Sequence, residues 1–330
     1  MKTLVLALAA AVCLAAGSAR ADTTNCIEIA SFPAVITVPG VHCLKKNISL
    51  NIADGPAIEV VVNNVTIEMN GFKLGNLAAG NETAAVGIAA VERQNIIVQN
   101  GVIRGFAIGI MLLGDPYGPS FGHRVERVSL DSNLITAILA VGGGILIRDN
   151  QILNTANAML NLSLARKSLG APAMKSPRAS ARNSRSNLAA PTDFAAVGIL
   201  GILSNSVIEN NKITGTTSLG EGAGIIVSQS SGVAINGNFI SGVRAATYAS
   251  GILSGADNEN IVISGNTILD GSTSGPDTAY GIENLSQAVC LNNTILSFAD
   301  GQTSDCTAEM GTFPVNVWDG RSSGRVRALR

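Results

Sequence analysis

The sequence predicts an all-β chain wound as a parallel β-helix, a solenoid of stacked coils. Three observations predict it. An eight-residue unit recurs: Ser206–Ile213, Val233–Ile240, Ile261–Ile268 and Ala288–Ile295 each hold alternating apolar residues, a polar step, an Asn, and an Ile two positions on. The spacing is even, because the steps from Asn211 to Asn238, Asn266 and Asn293 are 27, 28 and 27 residues, and a fixed period of that size marks stacked supersecondary units. The apolar runs are short, alternate with period two and are rich in Ile and Val, which reads as strand rather than helix.

Taken in order, the chain opens on a segment with the pattern of a signal peptide. Lys2 is the positive start, Leu4–Ala16 the apolar stretch, and Ala19-Arg20-Ala21 a small-x-small cleavage site, so residues 1–21 are expected to be removed. That run is too short for a stable membrane span, and no later segment supplies ~18 uninterrupted apolar residues. Residues 22–64 form the N-terminal cap and first strands, and 65–300 the body of the helix. Weaker copies of the unit lie at Val65–Leu74, Ile96–Arg104 and Val128–Ile135, and Leu146–Ile152 fits the template well. The 17-residue step from Asn133 to Asn150 is tight for a full coil, and the 61-residue step from Asn150 to Asn211 is too long. Residues 163–194 account for the excess. They carry six Lys or Arg and three Pro with little apolar periodicity, and taking out these 32 residues leaves 29, one more coil. The segment reads as a basic, disordered insertion. Residues 301–330 form the C-terminal cap and a basic tail. Glycines precede a second apolar pair at Gly87-Ile88, Gly109-Ile110, Gly198-Ile199, Gly224-Ile225, Gly251-Ile252 and Gly281-Ile282, so each coil offers two or three short strands separated by Gly or Asn bends. The recurring Asn is expected to bond the next coil through its amide while taking a left-handed bend itself.

The opening segment Phe32–Leu44, with Asn64–Phe72 after it, resembles the start of secreted right-handed parallel β-helix proteins of the pectate-lyase-like superfamily. The resemblance covers nearly all of the chain after residue 21. It implies that the opening segment caps the first coil and that the helix is right-handed. The superfamily holds pectate lyases, polygalacturonases, alginate lyases and epimerases, phage tailspikes and adhesins, so it implies a fold and no single activity.

Cysteine use fits export. Apart from Cys13, the chain has Cys26 and Cys43 near one end and Cys290 and Cys306 near the other. Three pairings are open, and proximity along the chain favours Cys26–Cys43 and Cys290–Cys306, stapling the two caps. No two cysteines have zinc-ligand spacing. Setting aside residues 1–21, the insertion and the chain after Asp319 leaves ten basic and 22 acidic residues, an acidic body with two basic segments. An exported acidic rod is a poor nucleic-acid binder. The basic segments read as solvated chain able to touch anionic polymers.

The chemistry is expected on an outward column two positions before each Asn: Gln99, Asp131, Arg148, Glu209, Asn236, Ser264 and Leu291. Arg104, Thr136, Lys212 and Thr214 face outward across the bend. Asp131, Arg148, Glu209 and Lys212 thus gather both signs of charge at mid-rod and are the candidate catalytic groups. A lyase needs a base and a cation beside a uronate, and a hydrolase needs two carboxylates roughly 5–10 Å apart. The loop 115–124 supplies His123 as an outside candidate acid or base. Sugar-cleaving grooves use aromatic platforms, yet the chain has one Trp and three Tyr. Cofactors are expected to be none. Calcium is the one metal left open, on the turn acids Asp257, Glu259, Asp270, Asp277, Asp300 and Asp305, which lack the glycine-aspartate nonapeptide of calcium-binding β-rolls. The sequence therefore favours an exported, non-catalytic β-helix that contacts a surface or extracellular polysaccharide. The alternative is a lyase, hydrolase or epimerase acting on a uronate-rich polymer.

Overall fold

In a computed structural model the chain is a parallel β-helix of about eight turns. The structure describes residues 25–115, 118, 120–156, 195–275, 279–286 and 288–298, with the backbone of 301–304. The expected signal peptide, the insertion 163–194 and the tail beyond residue 304 lie outside the described residues. Among the described residues every strand pairing is parallel, and strands within the body bond their counterparts one coil before and one coil after.

Each coil contributes three strands, one to each of three faces. The first face includes Val86–Val91, Ile108–Leu113, Thr136–Gly143, Glu221–Val227 and Tyr248–Ser254. The second includes Val65–Glu68, Leu146–Arg148, Ser231–Asn236 and Val262–Ser264. The third includes Lys73–Gly75, Gln151–Leu153, Lys212–Thr214 and Thr294–Phe298. Strands Ile96–Arg104 and Arg124–Asp131 run through the bend and serve the second and third faces in turn.

The interior is three columns of branched side chains. Ile147, Ile208, Ile235 and Ile263 stand in register on the second face, as the repeat predicts. Ile88, Ile110, Ile138, Ile199, Ile225, Ile252 and Ile282 do so on the first. Leu130, Ile152, Ile213, Ile240, Ile268 and Ile295 do so on the third. Nearly all are fully buried, and one continuous core runs the length of the rod. β-branched residues suit it because their stiff side chains stack between coils without losing much rotamer freedom.

The Asn ladder forms as expected. The backbone N–H and the Nδ2 of Asn150 both donate to Oδ1 of Asn211, at 3.1 and 3.0 Å. The same pair of bonds links Asn211 to Asn238, Asn238 to Asn266, and Asn266 to Asn293, at 2.9–3.0 Å. Each Nδ2 also bonds a backbone carbonyl, such as that of Ile208 for Asn238.

Three details differ from the sequence expectation. The left-handed bend falls one residue before the ladder Asn, at Asp149, Asn210, Gly237, Gly265 and Asn292, all with φ near +55 to +65° or just below. Those residue types tolerate that region, so the bend and the ladder are divided between neighbours. The Gly-Ile glycines lie inside first-face strands rather than at bends. A Cβ on Gly224 would stand 2.7 Å from the Gly251 carbonyl oxygen and 2.6 Å from Ile240 Cγ2, so the adjacent coil leaves it no room. Asn133 is not a rung of the ladder. Its Oδ1 accepts from Phe106 N–H at a different corner, and the rung before Asn150 is Val128, whose N–H donates to Asn150 Oδ1 at 3.0 Å.

At the N-terminal end the Cys26–Cys43 disulfide is present, spanning 17 residues and joining the first strand, Ile27–Glu28, to Gly40–Cys43. Cys306, the expected partner of Cys290, lies outside the described residues. Among the described residues no helix is long and apolar enough to cross a membrane.

Candidate functional site

The corrected register changes who stands in the outward column. Leu146 and Arg148 pair with Arg124 and Glu126, so the second-face row reads Glu68, Gln99, Glu126, Arg148, Glu209, Asn236, Ser264 and Leu291. Glu126 takes the place expected for Asp131. Successive members are one coil apart, ~4.8 Å.

Glu126 is the hub of this row, with its side chain only 5% exposed. Its Oε2 accepts from Arg148 Nε at 2.9 Å and stands 2.9 Å from Nη2 of the same guanidinium in an ion pair, and its Oε1 accepts from Arg127 Nη2 at 2.9 Å. Burial would push this carboxyl up, but the hydrogen bonds from Arg148 and Arg127, with their charges, outweigh it and hold the group below the usual carboxylate range. The hydrogen bond to Glu126, and then its charge, hold the Arg148 guanidinium above its ordinary value, with smaller help from Asp149 and Glu209.

The network continues in both directions. Arg127 Nε donates to Asn100 Oδ1 at 2.8 Å. Asn100 Nδ2 and Gln99 Nε2 converge on Glu68 Oε2 at 2.7 and 2.8 Å, and Asn70 N–H donates to Glu68 Oε1. On the other side Glu209 stands one rung from Arg148, and Ser264 Oγ donates to Asn236 Oδ1 at 2.7 Å. Arg127 has φ +54° in a bend column otherwise built of Asn, Asp and Gly. A left-handed Arg costs on the order of 1 kcal/mol or more, and here its reward is the bridge from Asn100 to Glu126.

Of the five residues expected from sequence, the structure sets Arg148 and Glu209 on neighbouring rungs. Asp131 stands apart, past the bend at Arg127, on the third face in register with Arg104 and Leu153. There it holds an ion pair with Arg104 Nη2 at 3.1 Å and accepts from Ser132 Oγ and Asn154 Nδ2. Lys212 also lies past a bend, at Asn210, exposed and in register with Gln151 and Phe239. His123 is not a surface loop residue. It is 2% exposed, its Nδ1 accepts from Ile96 N–H at 3.2 Å, and its Nε2 is 3.0 Å from Ser120 Oγ. Burial lowers its pKa to about 4, so it is neutral at pH 7 and forms part of the wall.

The sequence reading missed Glu126 and Arg127, because Val128 carries no Asn to mark their rung. It also missed a buried pair in which Tyr248 Oη donates to Glu283 Oε2, with the Tyr280 ring centroid 6.2 Å from that of Tyr248. Among the described residues, no three His, Cys, Asp or Glu side chains gather as a metal site.

No family model matches the chain, and no curated protein matches it. Solved structures do. An alginate lyase from Paenibacillus sp. aligns with TM-score 0.47 and 11% identity over 82% of this chain and 94% of that one. A tailspike protein mutant of E. coli bacteriophage HK620, in complex with a pentasaccharide, aligns with TM-score 0.45 and 11% identity over 77% of this chain. The match spans 50% of that tailspike's chain. The A-module of a mannuronan C-5 epimerase from Azotobacter vinelandii aligns with TM-score 0.33 and 14% identity over 82% of this chain and 81% of that one. The likeness is one of chain winding.

Proposed function

We propose that this β-helix is an exported, non-catalytic protein that binds a polysaccharide along its second face. The observation that carries this reading is the row from Glu68 to Ser264, a column of amide, carboxylate, guanidinium and hydroxyl groups repeating at each coil. A linear polymer presents hydroxyls along its length, and a rigid column of planar polar groups suits it. Arg127 and Arg148 stay 47% and 36% exposed while Glu126 pairs with both from below. Glu126 holds Arg148 along one edge of the guanidinium, through Nε and Nη2, leaving N–H groups on the other edge for a ligand. The disulfide fits an oxidising compartment.

The same bonds speak against catalysis by this row. Glu126 is ionised and locked between two arginines, which suits neither a general acid nor a free base. His123, the expected acid or base, is sealed in the wall.

The test is retention of the purified protein on immobilised pectin, alginate, hyaluronan, β-glucan and mannan. The expected result is retention on at least one polymer, weakened about tenfold or more by Arg148→Ala. Equal retention of the wild type and Arg148→Ala on every polymer removes the row from the reading.

A further inference from the structure

The corner that precedes the second face is built from a column of left-handed residues: Asn64, Asn95, Gly122, Gly144, Asn205, Gly232 and Asn260. Their neighbours join successive coils, with Asn95 N–H bonding the Phe121 carbonyl, Gly122 N–H that of Gly143, and Gly144 N–H that of Ser204. Most rungs of this column carry an Asn side chain. Two consecutive rungs, Gly122 and Gly144, carry none, and Gly143 beside them is bare too.

The missing side chains leave a groove of about 530 Å³ whose lining includes Gly118, Phe121, Gly144, Ser204, Asn205 and Ser231. The two glycines differ in what the fold asks of them. A Cβ on Gly122 would lie 2.4 Å from Asn95 Oδ1, whereas a Cβ on Gly144 meets nothing nearer than 3.8 Å. The φ of +58° at Gly144 is one that Asn205 adopts on the next rung, at +46°, and Asn95 two rungs back, at +53°. Packing and backbone therefore admit Asn at 144, and what glycine supplies there is open space. Phe121 stands beside that space 46% exposed, a large aromatic ring left in water.

We propose that this groove is a glycan subsite for a neutral pyranose ring. A sugar ring has one apolar C–H face, which stacks on an aromatic ring, and a rim of hydroxyls, which bond amides and hydroxyls. Phe121 supplies the first surface and Asn205 with Ser231 the second. Among the described residues no charged side chain lines the groove, so a carboxylated ring would lose hydration there without a partner. Gly144 lies four residues before Arg148 on the same strand path, and Asn205 four before Glu209, so the groove opens ~13 Å from the polar row at 3.3 Å per residue. The two can engage different units of one branched or folded glycan. The subsite shares only its class of ligand with the proposed function and stands on separate residues.

Isothermal titration of the purified protein with cellohexaose, laminarihexaose and mannohexaose tests it. The expected result is millimolar or tighter binding of at least one, unchanged between ~0.05 and ~0.5 M salt because the ligand carries no charge. Gly144→Asn, which fills the groove, and Phe121→Ala, which removes the platform, are each expected to weaken that binding about tenfold with the melting temperature held. Should Gly144→Asn lower the melting temperature, the exposed Phe121→Ala variant decides. No heat with any of the three sugars, or the same affinity in both variants, overturns the subsite. Polymer retention lost in Arg148→Ala with hexasaccharide binding unmoved by the groove variants overturns the groove alone. Hexasaccharide binding lost in those variants, with polymer retention indifferent to Arg148, overturns the row alone.

Discussion

His123 shows how much one position depends on its place in the coil. It precedes Arg124, in register with Ile145 and Ser206, where side chains turn inward. Ser206 Oγ accepts from Ile145 N–H just as His123 Nδ1 accepts from Ile96 N–H, so the imidazole acts as a neutral acceptor between coils. Its folded pKa is about 4 against an ordinary 6.5. The unfolded chain therefore binds more protons between those values, and stability falls as pH drops from 6.5 to about 4. The cost is on the order of 3 kcal/mol at the lower end. Glu126 has the opposite charge type and adds stability that is present above the usual carboxylate range and lost as pH falls through its depressed folded value. The two windows are thus separate. Urea unfolding at pH 7 and pH 5 is expected to show the first loss in the wild type and a flatter profile in His123→Gln, which keeps a neutral acceptor. Equal pH dependence in both proteins contradicts the assignment. None of this was legible from residues 115–124, whose Pro, Gly and charge read as a surface loop. The clue lay in counting back from the ladder, and the ladder has no Asn on that coil.

At the scale of the strand and bend, the repeat was readable because it is chemical. A rung that bonds the coils on both sides through its side chain needs both a donor and an acceptor, which the Asn amide supplies. Asn211, Asn238, Asn266 and Asn293 announce themselves in the sequence and stack as expected. The rung at Val128 bonds through its backbone alone, so the sequence offered Asn133 in its stead and put Asp131 on the wrong face. Residues just before the ladder were legible only in part. Asp, Asn and Gly betray a left-handed bend, and Arg127 does not. The ladder's value is testable. Asn238→Ala removes the acceptor for Asn211 N–H and the donor to the Ile208 carbonyl in a buried layer. The expected loss is on the order of 3 kcal/mol in urea unfolding, from stranding two buried groups. Ile235→Ala, one layer inward, is expected to lose ~2–5 kcal/mol through the cavity it leaves. A loss under ~1 kcal/mol in either variant contradicts its place in the stack.

Over the whole molecule, the period and the apolar alternation sufficed for the architecture, because a solenoid repeats one local solution along its axis. Function is harder to read from such a chain. Every coil exposes polar side chains, so a functional row looks like any solvated row until the register is known to the residue. One misplaced rung separated Glu126 from Arg148 in the sequence reading and joined Asp131 to a group it does not meet. With the register in hand, Glu126, Arg127 and Arg148 stand as one paired cluster on the second face, and the central proposal is binding without turnover. The measurement that tests it most directly follows the chain length of the polymer that retains the protein, during prolonged incubation, by size-exclusion chromatography with reducing-end and unsaturated-uronate detection. The account predicts an unchanged length distribution with no new ends. Shortened chains or unsaturated uronates, formed by the wild type and abolished by Arg148→Ala or Glu209→Gln in folded protein, would contradict it and make the second face an active site.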